Sequence, residues 1–489
     1  ERHSFPTRRS SDLPLPGFVA AMNRQKASIA LLLSGILLLN LACRLQLGTT
    51  PTATAPLAAV STPATDTQVE PGTASPALPT PTAAPPPIGS EPTDQPPLPI
   101  SPSLYIAYLK SDNVWLWTPG DVPRQITTSG RVYAAAISSD GKVIAALRRS
   151  DEFHTELWAV NTDGAGERLL ISAQALEELN ATGRDPNAKA VNPFRFAWVP
   201  GAHLLAFNTQ QIYEGPGLSL FYDLLVVDAD NSQLTTILPA GLGGDFIFSP
   251  DGAQAAVITP EAISLVNRNG SNLRKNVLMY ERVNTYSEYP FFPRPLWSSD
   301  SAYLRVVIPP IDPLAQPRPP TTVWQIPVDG SPAIQLGSYD VAAYFGNAAM
   351  LSPNLKRLAY LRETGQPEEN LRELHIVELE SGQDILFYTA PLLQFVSWAP
   401  DSTRWVFTYG EAQELTLGEI GMQPIVLGQA FRVDLAGVSN PIWLDANQIL
   451  FFKPDFISDT WEIRLADSLG GNILIDNGSG LPPIFSITK

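Results

Sequence analysis

Histidine, cysteine and a recurrent aspartate are the residues here whose types and spacing could support catalysis or metal binding. Beyond residue 21 the histidines are His154, His203 and His375. One reads as part of a turn and another as part of a strand, too scattered for the clustered ligands of a catalytic zinc. The single cysteine, Cys43, excludes a disulfide framework and any multi-cysteine metal site. No Gly-x-Ser-x-Gly elbow and no Gly-x-x-x-x-Gly-Lys loop occurs. Asp228-Ala229-Asp230 resembles the start of a calcium loop, but Gln233 stands where the sixth position needs Gly. An Asx-type hairpin turn is the expected structure there. No catalytic residue, metal or cofactor is expected.

The densest recognition chemistry is aromatic. Tyr280, Tyr286, Tyr289, Phe291, Phe292 and Arg294 fall within fifteen residues, and Tyr213 lies in another long insertion. Aromatic rings beside arginine supply large contact area with polar handles, the composition of a partner-binding surface. Phe291 and Phe292 can instead fill a gap between structural units, whereas exposure is expected for Tyr286 and Tyr289. The partner so contacted would be an envelope protein, a peptide or a glycan. Nucleic acid is excluded by a formal net charge of −16, because phosphates need Lys and Arg for neutralisation.

What positions such a loop is a repeat. From Ser103 onward a phrase recurs: AISSDGKVIAAL, AWVPGAHLLAFN, IFSPDGAQAAVI, LWSSDSAYLRVV, MLSPNLKRLAYL, SWAPDSTRWVFT and IWLDANQILFF. Each copy has a bulky apolar residue, a tight polar turn and an apolar strand. The turn positions are Asp140, Gly201, Asp251, Asp300, Asn354, Asp401 and Asp445, with Gly252 completing the one full Ser-Pro-Asp-Gly copy. Such turns are made by an aspartate bonding its own backbone and a glycine accepting positive φ. Their roles are structural, and spaced one per unit they cannot form a carboxylate dyad. Four residues beyond each turn, Ile144, Leu205, Ala255, Leu304, Leu358, Trp405 and Ile449 are the expected core.

Two further short strands follow each copy, so each unit reads as four antiparallel strands. A period near fifty with four strands per unit predicts an all-β β-propeller. Tyr105–Leu109, Val114–Trp117 and Arg124–Thr127 supply three strands with no turn motif ahead of them, and 483–487 supply a lone strand at the far end. Joined, they close the ring as an eighth blade. Eight blades are expected, with seven the alternative. The repeated phrase resembles the TolB-type, WD-repeat-like propeller of bacterial envelope proteins over residues 103–489. That resemblance implies a fold used by scaffolds, receptors and enzymes alike.

The first 102 residues have a different character. Residues 1–21 resemble the translation of a sequencing adapter and are set aside as an artefact. From Met22, a basic start and an uncharged run from Ala27 to Leu39 predict a secretory signal over 22–42. Leu41-Ala42-Cys43 resembles a bacterial lipobox, which implies a diacylglycerol thioether on Cys43; uncleaved, the segment would itself be the anchor. From Thr49 to Ser103 there are 15 prolines in 55 residues, no Lys or Arg and no aromatic residue. Such a segment cannot bury enough apolar surface to order itself. Residues 43–102 therefore read as a spacer, whose proline-rich stretch from Thr49 to Ser103 has a contour of up to roughly 170 Å. The expected whole is a monomeric, extracytoplasmic, lipid-anchored propeller that binds without catalysis. The alternative is an envelope hydrolase or lyase whose channel-lining strands carry converging ionisable groups.

Overall fold

The computed structural model describes residues 103–488, apart from 216, 343–347, 366–369, 433–434, 436–438, 456 and 480–484. Cys43, the predicted signal segment and the proline-rich segment lie outside the described residues. What is described is all-β, with eight blades of antiparallel strands arranged as a ring. Blade 1 orders the C-terminal strand Phe485–Thr488, then Tyr105–Lys110, Asn113–Trp117 and Arg124–Gln125 from inside outward. Blades 2 to 8 span 132–171, 190–238, 245–279, 296–339, 349–391, 394–426 and 439–479. Eight, the expected number, is what the sheets show.

Why the chain closes is visible in its core. Eight apolar clusters are present, each straddling one seam between neighbouring blades. Side chains alternate across a strand, so consecutive residues feed opposite seams. In the second strand of blade 4, Ala255 and Val257 join the seam with blade 3, while Ala256 and Ile258 join the seam with blade 5. The seven core positions read from the repeat, Ile144 to Ile449, are all 0% exposed.

The turn motif adds polar stitching. The Ser138, Ser249, Ser298 and Ser352 hydroxyls accept the backbone N–H five residues on, at 2.9–3.0 Å. Asp140 and Asp251 in turn accept from the hydroxyls of Ser138 and Ser249. Gly252 has φ +67, and a Cβ there would stand 2.4 Å from the Pro200 carbonyl of blade 3. Only glycine permits that approach of one turn to the next. The Trp198, Trp297 and Trp398 indoles donate to Ala136, Ile247 and Met350 of the preceding blade's inner strand. The bulky residue ahead of the turn is therefore a cross-blade tie in three copies.

Protonation of the turn carboxylates gives an expected pH dependence. The Ser249 hydroxyl and Ala253 N–H hold Asp251 below the usual carboxylate range, and the Ser298 hydroxyl and Ala302 N–H do the same for Asp300. For Asp140 and Asp401 burial pushes upward, but it is outweighed: by Ser138, Lys142 and His203 at the first, and by Thr403 and Arg404 at the second. A depressed folded value contributes stability above the unfolded value and loses it as pH falls through the folded one. The melting temperature should therefore hold down to about pH 5 and fall steadily below about pH 4. Thermal melts of Asp401→Asn should show a flatter acid limb; an identical limb would remove that residue from the account.

Candidate functional site

The strand order sorts the connections onto two faces. The turn motifs and the third-to-fourth strand hairpins lie on one, the turn face. The second-to-third strand loops and the blade-to-blade crossings lie on the other, the loop face. Tyr105 pairs with Thr488, the Thr488 hydroxyl donates to the Ser139 carbonyl, and the Tyr105 ring lies against Gly141. The ring is thus entered, and finished, on the turn face.

Long connections concentrate on the loop face. After blade 2, Ser172 caps a short helix, Ala173–Leu179, whose Leu176 is buried; the sequence showed only an insertion there. In blade 3 the first two strands run nine residues each, and Ser219–Leu220 adds a short fifth strand. Asp223 is buried behind it, accepting from Thr209 N–H, the Thr209 hydroxyl and Asn180; burial raises its carboxyl despite those bonds. Tyr213 is half-buried in this insertion, its hydroxyl 3.3 Å from Asp185 of the blade 2–3 crossing. The structure places it with that crossing and not with the other aromatic candidates.

Those candidates divide by burial. Tyr280 is half-buried beside the blade 4–5 seam and donates to the Thr259 carbonyl at 2.5 Å, and burial raises its phenol. Phe292 packs against the same cluster, Phe291 is half-buried, and Arg294 is exposed two residues before the inner strand of blade 5. Tyr286 and Tyr289 point outward, 55% and 44% exposed.

Tyr286 is the most constrained of them. Its φ is +55, a region that costs a bulky L-residue energy, and its N–H is held by the Asn284 side chain. Its hydroxyl donates to Asp312 at 2.6 Å, which raises the phenol and, with the Leu314 N–H, lowers the carboxyl. Asp312 belongs to the second-to-third strand loop of blade 5, and Asn284 N–H donates to the Ile311 carbonyl of that loop. Within the same loop Arg318 donates to the Pro313 and Val341 carbonyls and to Glu363 of blade 6, which ties the loop to that blade. Two loops and three blades thus present one patch, with Ile311 and Leu314 exposed beside the tyrosines. Sequence reasoning passed over Ile311 and Leu314; their only signal was an apolar pair inside a proline-bounded insertion.

The inner strands carry little ionisable chemistry. Arg195 of blade 3 donates from one guanidinium nitrogen, Nη1, to both carboxylate oxygens of Asp245 of blade 4, at 2.7 Å each. The histidines lie elsewhere. His154 sits between Asp151 and Glu177 in loop-face connections, and His203 bridges Asp140 and Asp230 on the turn face. His375 is buried between Glu373 and Asp384 in the third strand of blade 6. Among the described residues no three His, Cys, Asp or Glu side chains gather as metal ligands would.

No protein-family model matches this sequence, and no curated protein matches it either. Solved structures do resemble the ring. The likeness is one of fold. TolB from Acinetobacter baumannii is 12% identical with a TM-score of 0.29, over 57% of this chain and 62% of that one. Oligogalacturonate lyase from Vibrio parahaemolyticus is 12% identical with a TM-score of 0.39, over 73% and 83%. A eukaryotic initiation factor is 10% identical with a TM-score of 0.45, over 78% and 98%.

Proposed function

We propose that this chain is a lipid-anchored, extracytoplasmic binding scaffold that captures an envelope protein, peptide or glycan without catalysis. The observation that carries the reading is Tyr286, an exposed ring fixed at positive φ and pinned to Asp312 of a second loop. An aromatic held in place before contact loses little entropy on binding, which is what a recognition anchor needs. The rival reading, a channel enzyme, calls for converging ionisable groups on the inner strands; the Arg195–Asp245 pair is self-satisfied and offers no acid–base couple.

The test is capture from native envelope extract with the purified chain as bait and a Tyr286→Ala/Tyr289→Ala chain as control. One partner, or one class of glycan, should be retained by the first and lost, by about tenfold or more, by the second. Equal retention by both would remove the patch from the function. Turnover of an envelope polymer by the chain would replace binding with catalysis.

A further inference from the structure

Resting on that binding reading, we infer that the segment gripped by the Tyr286 patch is a basic, extended peptide. Its Lys or Arg side chains lie on the two tyrosines, and its apolar side chains lie on Ile311 and Leu314. The argument is one of charge and ring chemistry. The exposed rings are Tyr286 and Tyr289, and beside them stand the exposed Glu288 and the half-buried Asp312 that Tyr286 bonds. The arginines of these two loops are disposed elsewhere. Arg318 is committed to Pro313, Val341 and Glu363, and Arg282 lies toward Tyr222 of blade 3. Arg294 stands two residues before the inner strand of blade 5, five residues beyond Tyr289.

The patch is thus aromatic and apolar with a local negative charge. A cation over a ring face gains from the ring quadrupole, and a nearby carboxylate adds to that attraction. An anionic chain would meet repulsion at the patch and from the net −16 of the whole protein. Glycan hydroxyls donate to carboxylates too, but a neutral glycan lacks the positive charge that both the ring faces and the carboxylates attract.

The probe is a pair of twelve-residue synthetic peptides, one alternating Lys and Leu, the other alternating Glu and Leu, titrated calorimetrically into the full chain. The basic peptide should bind and the acidic one should not. Affinity should fall by about tenfold or more in Tyr286→Ala/Tyr289→Ala. It should fall several-fold in Glu288→Gln, a substitution on an exposed loop that leaves the fold untouched. Binding of the basic peptide unchanged in both variants would mean adsorption to the acidic ring at large and overturn the inference. Binding of the acidic peptide would overturn it directly. If neither peptide binds while envelope capture still depends on the tyrosines, the patch stands and the basic-peptide assignment falls.

Discussion

A chain ending at residue 484 is expected to melt roughly 5–10 °C below the full chain and to be cut readily by protease in blade 1. The four residues Phe485–Thr488 are the innermost strand of that blade, paired with Tyr105–Tyr108. They also bind forward into blade 2, where the Ser486 hydroxyl accepts from Ile137 N–H at 2.9 Å and Thr488 donates to the Ser139 carbonyl at 2.9 Å. Their loss exposes the edge of Tyr105–Lys110 to the channel and frees one side of the blade 1–2 seam. The seam on the other side has its own ties. Tyr108 and Lys110 both bond Asp476 of blade 8, and the Lys110 ammonium lies 5.8 Å from the Trp461 ring of that blade. The truncated chain should therefore open at one seam first and show a broadened melt, restored by adding the missing strand as a peptide. An unchanged melting curve would show that closure does not depend on the terminal strand.

Trp405→Ala is expected to cost about 3–5 kcal/mol, the largest effect of a single substitution in the ring. Trp405 is 0% exposed in the blade 6–7 seam, with Phe387 at 4.7 Å and Trp398 at 5.3 Å between ring centroids. Its indole lies over Gly418 of the adjoining strand, where a Cβ would come within 2.3 Å of the ring nitrogen. Because that nitrogen has no hydrogen-bond partner, Phe at 405 keeps most of the packing and sacrifices no bond. Trp405→Phe should cost under about 2 kcal/mol, and chemical denaturation of the two variants measures the difference. Equal losses would mean that the indole contributes by something other than the volume it fills.

Fold and site were legible to different degrees, for a physical reason. The repeat was readable because each turn demands particular chemistry at fixed spacing. Ser138, Asp140 and Gly141 make the same hydrogen bonds as Ser249, Asp251 and Gly252. The core residue beyond each turn is apolar in every copy because every blade must fill two seams. Even the blade count followed, since three orphan strands at one end and one at the other add up to a blade.

The site was legible only as composition. Exposure of Tyr286 and Tyr289 was expected from the sequence, but that Tyr280 and Phe292 serve the blade 4–5 seam was decided by which way two loops leave their strands. The partnership of Tyr286 with Asp312, 26 residues apart, exists because a crossing and a hairpin loop meet on one face. Local turn chemistry is written in neighbouring residues and so determined the architecture from sequence alone. Which loop residues face solvent depends on contacts between segments far apart in the chain, and only the closed ring decides that.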